Sequence, residues 1–372
     1  MKKITALLLC IAMIASVLSL ASCGSSDSND ELLSKLEGKY TKDLEGTVLN
    51  VFNWGEYISD GSDDSLDINA EFEKLTGIKV NYTNYESNEQ MYSKMKSGAV
   101  SYDIIIPSDY MIARLKSENM LKKLDFSKIS NYKYIADEYK NVYFDEKNEY
   151  SVPYSVGMVG LIYNKETVTE KVDSWSIMWD EKYKDNILTF NNSRDAFAIA
   201  QFLLGQDVNS TNKQDWYKAY EKLVEQNKVL QGRVMDEVFN KMENNNAAIA
   251  PYYAGDYLTM LESNENLGFV YPKEGTNIFM DSICVPSSAQ NFEAAMMYIN
   301  FMLDPEIALA NAEYIRYASP NTAVVNNDDY SLKGNEVLYP KKEDKPKTQY
   351  FHDLDKETRT YYETLWESVL NS

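Results

Sequence analysis

Between Thr47 and Ser108 three short apolar segments alternate with two amphipathic ones, and this alternation constrains the fold more than any other feature of the chain. "TVLNVFNW" (47–54) and "IKVNYTNY" (78–85) read as strands, and "DINAEFEKLTG" (67–77) and "NEQMYSKMKSG" (88–98) as helices that each stop on a glycine. "YDIIIPS" (102–108) reads as a third strand, continuously apolar as strands buried on both faces are. A βαβαβ run of this kind builds a parallel sheet with right-handed crossovers and helices on both faces, an α/β fold. Ligands of such sheets sit beyond the carboxyl ends of the strands. Trp54, Glu56 and Tyr57 follow the first strand and Ser108 and Tyr110 the third, so these side chains are expected to meet at one rim. The plainer alternative is an indole that plugs the end of the core beside a packing tyrosine.

A second region follows. "YSVPYSVGMVGLIYN" (150–164) is long and extended, with Gly157 and Gly160 inside it, and reads as a crossing between two domains. Helices are expected at 194–205, around 215–227, and over 292–315 with Pro305 interrupting. "PKEGTNIFMDSICVP" (272–286) reads as a crossing back, "YASPNTAVV" (317–325) as a third crossing, and "DKETRTYYETLWESVL" (355–370) as a terminal helix. A body of roughly 340 residues exceeds what one core usually holds, so two domains are expected.

The first 22 residues stand apart from the fold. Lys2 and Lys3 precede an apolar run from Ala6 to Leu20, which is shorter than the roughly 20 residues of a spanning helix and reads as a signal peptide. Leu20-Ala21-Ser22-Cys23 looks like a bacterial lipobox, which implies lipidation of Cys23, followed by a small, polar, acidic tether over 23–44. The expected location is extracytoplasmic, lipid-anchored at the outer membrane face. Cys284 is then the one thiol of the body, in the apolar run "DSICVP", and reads as buried and inert.

Composition excludes more than it assigns. Removing residues 1–22 takes away two lysines and no acid, so the formal charge moves from −20 to −22, which argues against a nucleic-acid partner. His352 is the single histidine, which excludes multi-histidine metal sites. No nucleophile elbow, Walker loop or dinucleotide fingerprint occurs, so neither an enzyme nor a cofactor is expected. A glycosidase using two carboxylates is the enzymatic alternative.

Taken together, "NWGEYI", "TGIKVNYTNYESNEQMYSKMKSG", "YDIIIPSDYMI", "YSVPYSVG", "PKEGTNIFMDSICVP" and "YIRYASPNTA" resemble, in order and spacing, the bacterial spermidine/putrescine-binding proteins of polyamine ABC transporters. The resemblance runs from about Leu49 to the C-terminus. It implies a two-lobed, type II periplasmic-binding-protein-like fold hinged by crossing strands, with lobe 1 from 45–156 plus 280–325 and lobe 2 from 157–279 plus 326–372. It also implies a polyamine ligand enclosed by hinge closure, an ABC permease as partner, and a monomer. The family's site motifs fall on Trp54, Glu56 and Tyr57, on Ser108 and Tyr110, on Phe279 and Asp281, and on Tyr317. Asn192, Asp195, Tyr253 and Asp256 supply the second lobe's wall. The chain departs from the pattern in having neutral Asn192 where the spermidine branch has an acid, in a longer acidic stretch 59–67, and in lacking a polar contact near Phe351. The alternative within the binding class is a two-lobed receptor for another solute, such as a carboxylate or a sugar; an anion receptor presents arginines or helix N-termini to its cleft, and the matched positions supply acids and no base.

A diamine or triamine at neutral pH is an apolar chain with ammonium groups along it. Its site needs carboxylates at fixed separation and ring faces between them, each ring adding about 0.5–2 kcal/mol.

Overall fold

The computed structural model describes residues 34–372. The signal segment, Cys23 and the first part of the tether lie outside the described residues.

Strand β1 (Val48–Trp54) runs parallel to β2 (Lys79–Tyr85), in register from Val48 opposite Lys79 to Trp54 opposite Tyr85, and parallel to β3 (Ile104–Ile105) on its other side. The connecting helices α1 (Ile68–Thr76) and α2 (Asn88–Ser97) begin on side-chain caps from Asp67 and Ser87, which satisfy free backbone N–H groups. Both end on glycines in the left-handed region, Gly77 at φ 72° and Gly98 at φ 65°. The third strand is shorter than its apolar run suggests: Pro107 lacks an N–H, and the chain turns into α3 (Asp109–Ser117) directly afterwards.

β4 (Ser151–Asn164) joins the two halves. Its first part, Ser151–Met158, pairs antiparallel with β9 (Thr276–Cys284) in the sheet of β1 to β3. Its second part, Val159–Asn164, pairs with β7 (Ile249–Tyr253) and β8 (Leu267–Val270). β7 and β6 (Leu230–Val234) both run parallel to β5 (Ile187–Phe190), so each lobe has parallel strands completed by one antiparallel crossing strand. The full path is β2-β1-β3-β9-β4-β7-β5-β6, with β10 (Thr348–Gln349) added to β9. One core gathers Leu49, Val51, Phe72, Ile104, Ile299 and Phe301; the other gathers Trp175, Phe190, Phe197, Trp216 and Ile249. Cys284 is buried between β3 and β4.

The remaining helices are α4 (Ser193–Leu203), α5 (Lys213–Gln226), α6 (Glu237–Glu243), α7 (Ala254–Ser263), α8 (Phe292–Met302), α9 (Pro305–Ile315), α10 (Thr322–Val325) and α11 (Lys356–Leu370). Pro305 opens α9 at its first turn behind the Asp304 cap, where a missing N–H costs nothing. α11 returns to the second lobe, Tyr362 stacking on Trp216 of α5 at 4.8 Å.

Two expectations need correction. The third crossing is not a strand: residues 317–321 make only isolated bridges, Val156 to Ala318 and Ile135 to Asn321, and Asn321 then caps α10. Residues 34–44, expected to close a flexible tether, are folded onto lobe 1. Leu36 is fully buried in the first core, Tyr40 packs edge-on against Phe301 at 5.4 Å, and Lys39 reaches Asp304 at 3.1 Å. A leucine and a tyrosine with apolar surface to cover outweigh the polar residues around them.

Candidate functional site: the cavity between the lobes

All six parallel strands of the two lobes end at one cavity. It is lined after β1 by Trp54, Glu56 and Tyr57, after β2 by Glu86 and Glu89, and after β3 by Ser108 and Tyr110. The second lobe contributes Asn192 and Asp195 after β5, Met235 and Asp236 after β6, and Tyr253 and Asp256 after β7. β9 adds Asn277, Phe279 and Asp281, which project to one face because alternate strand residues do. Tyr317 and Phe351 complete a space of about 820 Å³, mouth included. Thus every ligand residue expected from the sequence lines the same cavity.

The aromatic walls are held by hydrogen bonds to the frame. Trp54 donates through Nε1 to the Ile106 carbonyl at 2.9 Å, and Tyr85, at 4.7 Å from the indole, donates to the same carbonyl at 2.6 Å. Asn88 donates to Ser108 Oγ at 3.1 Å and to the Tyr110 hydroxyl at 3.2 Å, and Tyr110 donates on to Glu89 at 3.0 Å. Tyr57 meets Tyr317 edge-on at 5.0 Å, and Tyr253 meets Phe279 edge-on at 5.3 Å. Phe279 is seated because Gly157 opposite it has no side chain; a Cβ there would lie 2.3 Å from the ring.

The carboxylates are set among these rings. Asp281 is 4% exposed; Tyr57 donates to its Oδ2 at 2.7 Å, while its Oδ1 is buried with no partner. Burial pushes its carboxyl up to about 6, with hydrogen bonding from Ser108 and Tyr57 opposing the shift. Asp195 accepts from Tyr253 at 2.9 Å and from Asn192 at 2.7 Å, and burial raises its pKa. Asn192 is also the N-cap of α4, its Oδ1 accepting from the Asp195 N–H, so capping and cavity lining are one role. Burial raises Asp256 well above the usual carboxylate range. Asp236 and Glu56, exposed residues at the mouth, are raised first by partial desolvation of their carboxyls against the cavity wall and then by further acids nearby. Among the described residues none of these five acids forms an ion pair with Lys or Arg. Nor is any group of three His, Cys, Asp or Glu side chains among them arranged to hold a metal ion.

The sequence reading missed Glu86, Glu89 and Asp236, which follow strand ends like the others, and Arg194, which brings a base to a wall expected to hold none. One nitrogen of the Arg194 guanidinium is bonded, while its Nε and Nη1 are buried without a hydrogen-bond partner among the described residues. The residue is 4% exposed, lies 4.5 Å over the Phe351 ring and donates to Asn209 at 3.2 Å.

The chain is similar to known proteins. The profile of the family described as bacterial extracellular solute-binding protein matches residues 67–336. The chain belongs to this family. It is 32% identical to the spermidine/putrescine-binding periplasmic protein of Salmonella typhimurium over 85% of this chain and 90% of that one. A solved structure from Listeria monocytogenes, described as a candidate spermidine/putrescine ABC transporter, is 36% identical and superposes with a TM-score of 0.83 over 87% of this chain and 99% of that one. The spermidine/putrescine ABC transporter substrate-binding protein of Streptococcus pneumoniae is 34% identical, with a TM-score of 0.71 over 88% and 99%. The type II two-lobed fold is therefore that of extracytoplasmic transport receptors, whose lobes close on a ligand by a hinge.

Proposed function

We propose that this protein is a polyamine receptor, which encloses putrescine or spermidine between its lobes and delivers it to an ABC permease. The observation that carries this reading is Asp281: a carboxylate 4% exposed, with one oxygen unpartnered, on a strand that also projects Phe279. A buried anion without a cation is costly, and an ammonium placed there recovers that cost. Tyr57, Trp54, Tyr253, Phe279 and Tyr317 supply the ring faces that a methylene chain with charged ends requires. The names of the relatives support the same ligand class.

Arg194 does not make the cavity an anion site: although its Nε and Nη1 lack partners, it is stacked on Phe351 and is one base against the acids Glu56, Asp195, Asp236, Asp256 and Asp281 of the same lining. Calorimetry of the body with putrescine, spermidine and spermine is the deciding measurement. Micromolar or tighter binding of one amine is expected, and no binding of any of them sinks the proposal. With Asn192 neutral and Asp256 buried in the wall, putrescine is expected to bind at least as well as spermidine. Binding without turnover is part of the proposal: hydrolysis of a glycoside by purified protein, lost in Asp281→Asn, would make it an enzyme.

The anchor and the assembly are proposals of the same kind. Among the described residues no helix is long and apolar enough to cross a membrane. Attachment through a lipid on Cys23 predicts that Cys23→Ala abolishes lipid labelling, and a monomer predicts one light-scattering mass near 40 kDa.

A further inference from the structure

We propose that Gly55 and Asp236 form the closing latch of the cleft, the absent side chain of Gly55 being the socket in which the Asp236 carboxylate seats. Gly55 lies one residue beyond β1 in the first lobe and Asp236 two beyond β6 in the second, so their contact exists only across the cleft. A Cβ on Gly55 would stand 2.4 Å from Asp236 Oδ2 and 3.5 Å from its Cγ, the first inside any ordinary nonbonded approach. Gly55 is not among the residues at positive φ, so its backbone does not itself call for glycine. What a Cβ would meet is the far end of the Asp236 side chain, an exposed residue, so the approach bars a side chain there only while that carboxylate stays where Tyr252 holds it.

Both partners are held in place. The Asp236 carboxylate is tethered by Tyr252, 2% exposed, which donates to Oδ1 at 3.2 Å. On the other side Glu56 adopts φ 48°, a left-handed conformation that non-glycine residues rarely take, and this turn fixes where Gly55 stands. Glu56, Asp236 and Asp256 gather at this end of the cavity. Seating the latch brings acids of both lobes together, so it is favourable when a ligand ammonium lies among them. Gly55 and Asp236 are thus positioning residues for closure. This rests on the reading of the cavity as a polyamine cleft.

The test is a double-mutant cycle on Gly55→Ala, Asp236→Ala and their combination. It reads putrescine and spermidine affinity, the dissociation rate, and the radius of gyration by X-ray scattering at saturating ligand. Gly55→Ala is expected to weaken binding at least tenfold, mainly through faster dissociation, and to leave the saturated protein less compact. In the Asp236→Ala background the same substitution is expected to change affinity less than twofold. Asp236→Glu, which lengthens the acid against an intact glycine, reproduces the loss without touching the first lobe. An equal cost of Gly55→Ala in both backgrounds, or no cost, overturns the latch while leaving the polyamine reading standing. A wild-type protein that binds none of the amines overturns both.

Discussion

Two sets of carboxylates face one cavity under different physical conditions. Asp195, Asp256 and Asp281 form its floor, none more than 8% exposed, and the oxygens of Asp195 and Asp281 accept from tyrosine hydroxyls. Glu56, Glu86 and Asp236 stand at the mouth, exposed to water and to one another. On the floor each charge has lost its hydration, so an ammonium that arrives there recovers several kcal/mol. At the mouth water and salt screen the same charge, and its influence falls on the rate of arrival. The difference separates where affinity resides from where capture begins.

The floor should show it most. Asp281→Asn is expected to weaken polyamine binding by roughly a hundredfold or more, about 3 kcal/mol, because the ammonium then sits buried without its counter-ion. An affinity within threefold of wild type would move Asp281 out of the site. The same substitution should raise the melting temperature of the empty protein by a few degrees at pH 7, since it removes an anion whose burial the fold resists. Asp256→Ser is expected to cost putrescine tenfold or more and spermidine less; equal loss for both would show that Asp256 does not set ligand length.

Acidity probes the floor without mutation. The carboxyl of Asp281 in the empty protein is raised to about 6, above its ordinary value of 3.8. The folded empty state therefore binds the proton more tightly than the unfolded chain does. Between pH 4 and 6 its stability falls as pH rises. A cationic ligand selects the ionised form, so affinity should drop about tenfold from pH 7 to pH 5. Calorimetry across that range in Asp281→Asn should lose the part of the dependence owed to Asp281 and keep the part owed to Asp195 and Asp256, which burial also raises. The mouth gives the smallest effect: Glu86→Gln should lower affinity less than threefold, all of it in the association rate, and 0.5 M salt should erase the difference. A loss that survives salt would place Glu86 on the floor.

Much of this site was legible because the strand-end rule is topological. Trp54 and Ser108 were found from two strand ends alone, and the resemblance carried the second lobe. Glu86 escaped although it follows β2 directly, because its segment "YESNEQ" also reads as the polar start of a helix, and Ser87 does cap one. Asp236 escaped for a different reason. β6, "LQGRV", is the edge strand of its sheet, with only Val234 buried, so it lacks the apolar alternation by which strands are recognised. A strand that cannot be read hides whatever its end presents. The contacts of Gly55 were out of reach for another reason, since they depend on two segments 181 positions apart in the sequence meeting across a cleft.

The folded arm at 34–44 has a consequence for mechanics. Leu36 and Tyr40 clamp it to the first lobe, so a lipid on Cys23 would leash that lobe alone, through the eleven peptide units from 23 to 34. At about 3.5 Å per residue such a leash reaches no more than ~38 Å from the bilayer. The receptor would then be moored like a boat by its bow, one lobe kept within reach of the membrane while the other swings freely to open and shut.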